Sequence, residues 1–566
     1  MKKFLLFVLL ILGVTGLFFE NRAELLGNYR WIITVIDYIL VLTLLAESIQ
    51  SFVRAGNKLY YLRKNIPSLI FLVVYLGLFL SNKVLSQRFA DAEIKGYFAF
   101  IIIRNILLIL KVYGRMRKFS GFLHSIFSKP AQTVVLSFIL VILAGTFALM
   151  MPMMTTGGRI DFINSLFTVT SAVCVTGLAV VDTAGFYTFW GHLTIMVLIQ
   201  IGGLGIMLLS FFLVFSFRKK VSIKDRSLLT YMLNESDMAS IIKSVKRIII
   251  LTFSIEGGGA LLLYPQFINL GKKPGEAMFY SLFHAVSAFC NAGFALFSDS
   301  LESFSSSPAM NFTIAGLIIA GGISFTVLTD LFSGLKALIR RKQYKLSINT
   351  KVVVQFSFFL TLAGMFIIYK LEHVPLLLER NLGEQYLSAF FQSVTLRTAG
   401  FNTLPMGSLQ TGTLIVMIGI MFIGGASGST AGGIKVNTLG VVQAYIHSFR
   451  KGHDETLIYR HQVSKDQILQ AFTVIAFGVL SIFIVLFLLL LTEDAPLSDL
   501  MFESVSAFAT VGLSTGITGS LSPFGKVFII ILMFIGRIGP LTLLSATSGR
   551  SKASPISYPE ATLLIG

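Results

Sequence analysis

A short pattern that ends in glycine and a bulky apolar residue occurs four times in this chain. Each copy has phenylalanine ten residues before the glycine and a small or hydroxyl residue five before it. The copies read FTVTSAVCVTGL at 167–178, FHAVSAFCNAGF at 283–294, FFQSVTLRTAGF at 390–401 and FESVSAFATVGL at 502–513. Successive glycines are 116, 107 and 112 residues apart. Because an internal repeat reflects a recurring structural unit, we expect four related units.

The chain as a whole is strongly apolar. Of its residues, 55% are hydrophobic and only 13% are charged, and its mean hydropathy is +0.81. In a soluble domain about a quarter of the residues are charged. Apolar runs long enough to cross the hydrocarbon of a bilayer lie near 3–19, 31–49, 67–81, 97–113, 131–152, 191–217, 245–265, 309–334, 350–370, 411–446, 467–491 and 525–545. The sequence therefore predicts an all-α polytopic membrane protein.

Each copy of the pattern lies between two apolar runs, and the helical stretch before its glycine is too short to span. Non-helical backbone at membrane depth persists only where protein or a watery cavity surrounds it. Four such loops around one axis can replace the hydration shell of a cation with main-chain carbonyls. Glycine suits the turning point because it tolerates positive φ. We therefore predict four M1–pore loop–M2 units with pseudo-four-fold symmetry around one pore.

The net charge of +19 could indicate a nucleic-acid partner or the topology of a membrane protein. The distribution of the charge favours the second explanation, membrane topology. Segments 218–247, 336–351 and 450–465 together carry 18 Lys and Arg, and the segments just after the four glycines carry none. Positive residues accumulate on cytoplasmic loops. We place the three basic segments in the cytoplasm and expect no nucleic-acid partner.

The motifs VCVTGL, CNAGF, RTAGF and TVGL in four helix–loop–helix units resemble the Trk/Ktr/HKT superfamily of potassium transporters. The chain looks most like the Ktr-type potassium-translocating membrane subunit over roughly 130–566, including the tail SYPEATLLIG. The resemblance implies potassium uptake through a selective pore in the cytoplasmic (inner, plasma) membrane. Glycine at position 177, where some sodium-carrying relatives have serine, favours K⁺. No organic cofactor is expected on this chain.

The resemblance implies a selectivity filter made of main-chain carbonyls. The residues assigned to it are Cys174, Val175, Thr176, Gly177, Cys290, Asn291, Ala292, Gly293, Arg397, Thr398, Ala399, Gly400, Ala509, Thr510, Val511 and Gly512. Because the copies differ at nearly every position, the symmetry is expected to be approximate. The Asn291 side chain is expected either to make a polar contact or simply to pack.

Arg397 stands where the other copies have Cys174, Cys290 and Ala509. A cation within a cation filter is expected to point behind it, where an acid such as Glu503 could pair with it. The alternative is direct contact with ions. The two cysteines are expected to pack behind the filter rather than to bind a metal or form a redox pair.

The third unit contains the Gly-rich segment GGASGSTAGGIK at 424–435. It lacks the glycine spacing of phosphate-binding loops, and it is too rich in glycine for a straight membrane helix. The residues alone permit a kink packed against a neighbouring helix. In the family this position is an intramembrane gating loop below the filter. The gate assigned on that basis is Gly424, Gly425, Ala426, Ser427, Gly428, Ser429 and Thr430, extending to Gly433, with Lys435 as its anchor and Arg537 as a barrier to cations.

Charged residues within apolar runs are costly and usually functional. Arg537 resembles the family's arginine at the constriction, and the alternative is a side chain that snorkels to an interface. Glu256 and Asp330 could couple transport to Na⁺ or H⁺. They could also be counter-ions for Lys435 or Arg537, which is the interpretation we prefer.

Residues 1–129 are predicted to form an N-terminal bundle of about four helices. Its first run could be a signal peptide, but a retained helix is favoured because no small-x-small cleavage site follows. Asp37 and Glu47 on one helix and Arg104 on a later one resemble a voltage sensor. The basic residues lack the every-third spacing of a working sensor, so a structural scaffold is favoured.

The predicted organisation is therefore a bundle at 1–129 and pore units at 130–217, 245–338, 350–446 and 467–566. The resemblance implies a homodimer on a separate cytosolic ring of Rossmann-like, RCK-type subunits that bind adenine nucleotides, with membrane lipid as the other partner. The alternative function is a Na⁺- or H⁺-coupled potassium or sodium symporter. An enzyme is not expected, because neither H-E-x-x-H nor G-x-S-x-G occurs.

Overall fold

The chain divides into two units between Ser128 and Lys129, and every residue described below belongs to the second. The computed structural model describes residues 130–157, 160–205, 238–378 and 380–547. The predictions made for the N-terminal helices, for most of segment 218–247 and for the C-terminal tail lie outside the described residues. The described residues are helical apart from short loops and one small hairpin.

Each unit begins with a first helix. These are α1 Pro130–Leu149, α5 Met238–Asn269, α9 Ile348–Glu372 and α13 Lys465–Thr492. Serine hydroxyls cap two of them, since Ser347 accepts from the amide of Thr350 and Ser464 from that of Gln467. Three spans within the described residues are long and apolar enough to cross a membrane: Val245–Asn269, Ile348–Leu377 and Lys465–Thr492.

A shorter helix follows in each unit and leads into the repeated glycine. These pore helices are α2 Phe162–Cys174, α6 Pro274–Phe289, α10 Leu382–Thr395 and α14 Leu497–Ala509. At 1.5 Å per residue they span about 20–24 Å, which is less than the hydrocarbon thickness. Their glycine-proximal halves are buried.

The repeated apolar positions explain why the pore helices occupy the core. Leu178, Phe294, Phe401 and Leu513, just after the glycines, are all buried. The phenylalanines ten residues before the glycines are also buried in three units, whereas Phe390 in the third unit is half-buried.

The second helices are α4 Phe189–Leu204, α7 Pro308–Gly322, α11 Thr411–Phe422 and α15 Pro523–Ile538. Hydroxyl side chains cap three of them, at Thr188, Ser307 and Ser522. They are only 12 to 16 residues long. The remaining elements are α3 Thr183–Phe186, α8 Phe325–Ile339, α12 Val436–Arg450, the hairpin β1 Leu457–Ile458 and β2 His461–Gln462, and α16 Pro540–Thr547.

The sequence predicted the runs 309–334 and 525–545 as continuous spans, and this was wrong. The axis bends by 109° between α7 and α8 and by 94° between α15 and α16. Ser324 and Gly539 lie at these breaks with φ of 80° and 86°. Helix α4 ends in the same way, before Gly205 at φ 82°.

Candidate functional site

The four loops after the pore helices have positive φ at the same two positions. The repeated glycines have φ of 99°, 70°, 81° and 90°, in the order Gly177, Gly293, Gly400 and Gly512. The residues two positions earlier also have positive φ, between 53° and 72°: Val175, Asn291, Thr398 and Thr510. Three of these are β-branched residues, for which such a backbone costs about 1–3 kcal/mol each. Strain of this kind persists only where the surrounding structure imposes it.

The four glycines, which we call the glycine ring, approach one another in a closed cycle. A Cβ atom placed on Gly177 would lie 2.6 Å from the carbonyl oxygen of Ala292. One on Gly293 would lie 2.7 Å from that of Ala399, and one on Gly400 2.6 Å from that of Val511.

The cycle closes between the last unit and the first. A Cβ atom on Gly512 would overlap the carbonyl oxygen of Thr176, and it would lie 2.9 Å from the Cα atom of Gly177. Any side chain at these four positions would therefore displace the carbonyl of the next unit.

The carboxyl ends of the pore helices all lie next to the glycine ring. Each helix ends three to five residues before its glycine. The carboxyl end of a helix carries a partial negative charge of about half an elementary charge. Four such ends around one ring favour a cation at its centre.

A serine six residues before the glycine supports the loop in three units. The amides of Gly177 and Gly512 donate to the hydroxyls of Ser171 and Ser506 at 3.0 and 3.1 Å. The hydroxyl of Ser287 instead donates to the carbonyl of Phe294 at 2.8 Å. A serine recurs at this position in three copies of the pattern, but its role was not predicted, because the spacing does not show what a hydroxyl contacts. The third unit has Val394 there.

The Arg397 side chain lines a small pocket between the second and third units. Its Nε and Nη2 atoms are buried without a hydrogen-bond partner. The predicted pairing with Glu503 was wrong, because Oε1 of Glu503 accepts from the Thr518 hydroxyl instead. Residues from two different units surround the guanidinium, namely Ile318, Ile319, Gly322, Thr361 and Val394.

Cys174 and Cys290 are both free thiols and fully buried. The Cys290 thiol donates to Oε1 of Glu256 at 3.8 Å. In the amide orientation that its surroundings favour, Asn291 donates to the carbonyls of Ala288 and Ile318, each at 3.1 Å, and both partners belong to the second unit. Among the described residues, no three His, Cys, Asp or Glu side chains are grouped to hold a metal ion.

The Gly-rich loop, residues 424–435, connects α11 to α12 and lies against the loops of three units. The Thr430 hydroxyl donates to the carbonyl of Phe289, at the end of the second pore helix, at 3.2 Å. A Cβ atom on Gly424 would lie 3.3 Å from Cγ2 of Thr398, and one on Gly432 would overlap Oγ1 of Thr510.

Main-chain hydrogen bonds to the second unit also hold this loop. The amides of Ala426 and Thr430 donate to the carbonyls of Gly322 and Gly321 at 2.9 and 3.2 Å. Lys435 closes the loop on itself, because its ammonium donates to the carbonyls of Ala431 and Gly432.

The guanidinium of Arg537 joins the Gly-rich loop to the first unit. It donates to the carbonyl of Thr430 and to that of Gly202, near the end of α4. Both partners are main-chain carbonyls rather than carboxylates.

The preferred interpretation of the two intramembrane acids was wrong. Glu256 contacts the Cys290 thiol. Asp330 accepts from the Tyr344 hydroxyl at 2.6 Å, from the Ser347 amide at 3.0 Å and from the Thr350 hydroxyl. Neither acid is a counter-ion of the Lys435 ammonium or the Arg537 guanidinium, both of which donate to carbonyls.

Comparison with known proteins decides the family. A profile of the family described as TrkH, cation transport protein, matches residues 94–553, most of the chain. This chain belongs to the TrkH family of cation transport proteins. The resemblance drawn from the four motifs is therefore confirmed, and so is the predicted class of helical multi-pass membrane protein. The TrkH family is one of transport proteins rather than of enzymes.

This chain matches individual relatives over nearly the whole length of those relatives. Ktr system potassium uptake protein B of Bacillus subtilis is 39% identical over 441 residues, which are 77% of this chain and 97% of that protein. Potassium/sodium uptake protein NtpJ of Enterococcus hirae is 36% identical over 448 residues, with shares of 77% and 97%. The crystal structure of the potassium transporter TrkH from Vibrio parahaemolyticus matches with a TM-score of 0.61 at 18% identity, over 86% of this chain and 97% of that one. This last similarity shows the fold alone.

Proposed function

We propose that the chain is the membrane subunit of a potassium uptake system and that the glycine ring is its selectivity filter. The closed cycle of contacts between the four glycines is the observation that carries the proposal. Main-chain carbonyls of each unit lie against the next unit, and four helix carboxyl ends meet there. Carbonyl oxygens and helix dipoles suit a partly dehydrated monovalent cation. Close relatives are named as potassium uptake proteins.

The Gly-rich loop is the proposed gate of this pore. It lies against the end of the second pore helix and the pore loops of the third and fourth units, and Thr430 in it accepts a hydrogen bond from Arg537. A guanidinium at that level repels an approaching cation, and in a site with little water the repulsion is strong. Main-chain hydrogen bonds and a small apolar cluster at Ala426 hold the loop in this position.

The test is flux of K⁺ and Na⁺ into proteoliposomes that contain the purified chain, with the membrane potential clamped. Replacing Gly177 with serine places a Cβ atom against the Ala292 carbonyl, so the ratio of K⁺ to Na⁺ flux should fall. Gly383→Ser is the matched control, because a Cβ atom there meets open space. An unchanged flux ratio in a folded Gly177→Ser protein would count against the filter assignment.

A coupled symporter is the second candidate. One observation favours it: Glu256 is buried and contacts Cys290, at the base of the second pore loop. A relative is also named for both potassium and sodium. Coupling requires K⁺ uptake to respond to an imposed Na⁺ or H⁺ gradient at clamped voltage, and Glu256→Gln should abolish that response. Uptake that ignores both gradients rules the symporter out.

A cytosolic partner follows from the proposed system. A relative is named as protein B of a Ktr system, and this supports a membrane subunit that works with a regulatory subunit. We propose that this subunit is an RCK-type nucleotide-binding ring and that two copies of the chain assemble on it. The mass of the purified complex, with and without adenine nucleotide, tests both parts, and a monomeric chain that binds no ring would contradict them.

A further inference from the structure

Helix α8 differs from the spanning helices in direction and in surface. It leaves α7 at 109°. The 15 residues of α7 rise about 22 Å, so a helix that begins at one edge of the hydrocarbon ends about 8 Å short of the other. That is the depth at which interfacial helices bury their apolar face, about 5–10 Å below the headgroups.

The outward surface of α8 is divided into an apolar and a polar side. Phe332, Leu335, Leu338 and Ile339 are exposed, the last two at 73% and 75%. At about 100° per residue these four fall within one arc of roughly 120°. The opposite arc carries polar side chains such as Thr326 and Ser333. A helix with this division lies along a membrane surface.

A basic group follows directly at the carboxyl end of α8. Five exposed residues form what we call the basic end, namely Lys336, Arg340, Arg341, Lys342 and Lys345. The acid nearest in sequence, Asp330, is held by Tyr344, Ser347 and Thr350. The apolar arc places these five cations at headgroup level, where a phosphate of an anionic lipid is their complement.

The amino end of α8 contacts the Gly-rich loop. Val327 and Leu328 pack in one apolar cluster with Ala426 of that loop. The Phe325 amide points to the carbonyl of Gly428 at 3.5 Å. A displacement of α8 would therefore be transmitted to the Gly-rich loop through direct contacts.

We propose that α8 is a binding surface for anionic phospholipid and that lipid bound at its basic end stabilises the position of the Gly-rich loop. The second half of this proposal rests on the proposed function of the loop as a gate. The first half does not, because lipid binding can be measured without ion flux.

The binding test uses the full chain in detergent, to which phosphatidylglycerol or phosphatidylcholine is added while its melting temperature is measured. Phosphatidylglycerol should raise the melting temperature of the wild-type chain, and phosphatidylcholine should not. The test variant replaces four residues of the basic end with glutamine: Lys336, Arg340, Arg341 and Lys342. The matched control replaces four exposed basic residues elsewhere on the cytoplasmic side: Arg450, Lys451, Arg460 and Lys465.

The test variant should lose the phosphatidylglycerol shift, with affinity reduced about fivefold for each basic residue removed. The control should keep it. An equal shift in wild type and test variant overturns the proposal, and so does loss of the shift in the control. The test variant could instead change its oligomeric mass, or lose a protein partner while it keeps the shift caused by phosphatidylglycerol. Either result would show that the surface binds protein rather than lipid, and would overturn the proposal.

Coupling to the loop is tested by K⁺ flux in vesicles of phosphatidylcholine with and without phosphatidylglycerol. Wild-type flux should depend on phosphatidylglycerol, and flux through the test variant should be the same in both. If lipid binds but has no effect on wild-type flux, the coupling to the loop is overturned and the proposal of a lipid-binding site stands. An absence of K⁺ flux in every vesicle overturns the coupling together with the proposed function, and the melting temperatures still decide the binding.

Discussion

The guanidinium of Arg537 donates to the main-chain carbonyl of Thr430, so the last second helix holds the Gly-rich loop directly. A second hydrogen bond from the same group reaches Gly202 of the first unit. One side chain therefore connects the first unit, the third unit and the fourth. No carboxylate takes part in either bond, so removing the guanidinium leaves no acid unpaired.

Arg537→Ala should increase K⁺ flux, because it removes both a repulsive charge and one of the contacts that hold the loop. Its melting temperature should fall only modestly, since breaking a buried ion pair costs about 3–5 kcal/mol and no such pair is present here. Flux and melting temperature are measured on one preparation, with the exposed Arg450→Ala as control. A large loss of melting temperature without faster flux would falsify the barrier.

Gly432→Ala should open the pore by displacing the loop. The new Cβ atom would overlap Oγ1 of Thr510, and the loop is the more easily moved partner. We expect raised basal K⁺ flux and weaker regulation by the cytosolic subunit. Gly419→Ala, on α11 with open space around it, is the matched control. The double variant with Thr510→Ala removes the overlapping hydroxyl and should bring flux back toward wild type; a double variant that stays leaky contradicts the steric explanation.

Ser171→Ala should reduce selectivity at little cost in stability. It removes the hydroxyl that accepts from the Gly177 amide, a bond that contributes about 1 kcal/mol. Ser165→Ala is the control, because Ser165 lies on the same helix and donates to the Thr146 carbonyl at 2.9 Å, away from the ring. Both should lower the melting temperature similarly, and only Ser171→Ala should change the ratio of K⁺ to Na⁺ flux. Equal ratios in the two variants would show that the serine is structural.

Glu302 should make uptake sensitive to pH on its own side of the membrane. Burial raises the pKa of this carboxyl above its ordinary value, with Asp299 acting in the same direction, while Asn402 and Arg380 oppose the shift. As pH falls, Glu302 therefore loses its negative charge at a higher pH than an ordinary glutamate. Less negative charge near the pore entrance lowers the local cation concentration, so K⁺ uptake should decline.

The comparison for this pH effect is Glu302→Gln, whose uptake should be lower at neutral pH and nearly flat on acidification. Glu276→Gln, an exposed carboxylate at the start of α6, should keep the wild-type profile. If Glu302→Gln and wild type decline in parallel, another group is responsible.

Ser324→Gly should stabilise the protein. Ser324 has φ 80° and ψ 141°, a backbone region that costs residues with a side chain about 1–3 kcal/mol and costs glycine almost nothing. Its melting temperature should rise. Ser333→Gly, in the middle of α8, should lower it, because glycine in a helix interior costs about 1 kcal/mol. A fall in both variants would mean that the contact of the Ser324 hydroxyl with Thr326 outweighs the strain.

The four units and the family could be predicted because the glycine pattern is local and repeated. The same pattern contains Ser171, Ser287 and Ser506, but their role depends on where a hydroxyl points, which spacing does not show. The pairing of Arg397 with Glu503 failed for a related reason. Arg397 lies in the third pore loop and Glu503 in the middle of α14, and the sequence does not show in which direction either side chain points.

The helix breaks could not be predicted from hydropathy. The residues next to Gly205 and Ser324 are apolar, and a hydropathy average contains no information on φ. Glycine is common in membrane helices, so Gly205 alone did not indicate a break, whereas the pair Gly539–Pro540 is a turn signal that a hydropathy average ignores. At Ser324 the break is set by the packing of α8 against α9 and the Gly-rich loop, which overrides the preference of the serine backbone.

The contact between Gly512 and Gly177 has a consequence for how the protein is made. These residues are 335 positions apart, and the ribosome delivers Gly512 to the membrane last. Until the fourth unit is inserted, the first three present a ring with one open side, where the carbonyl of Thr176 lacks its neighbour Gly512. Since contacts between such distant residues form slowly, ring closure is expected to be a late step of folding. A chain that stops before residue 467 would be an inserted membrane protein without a closed glycine ring.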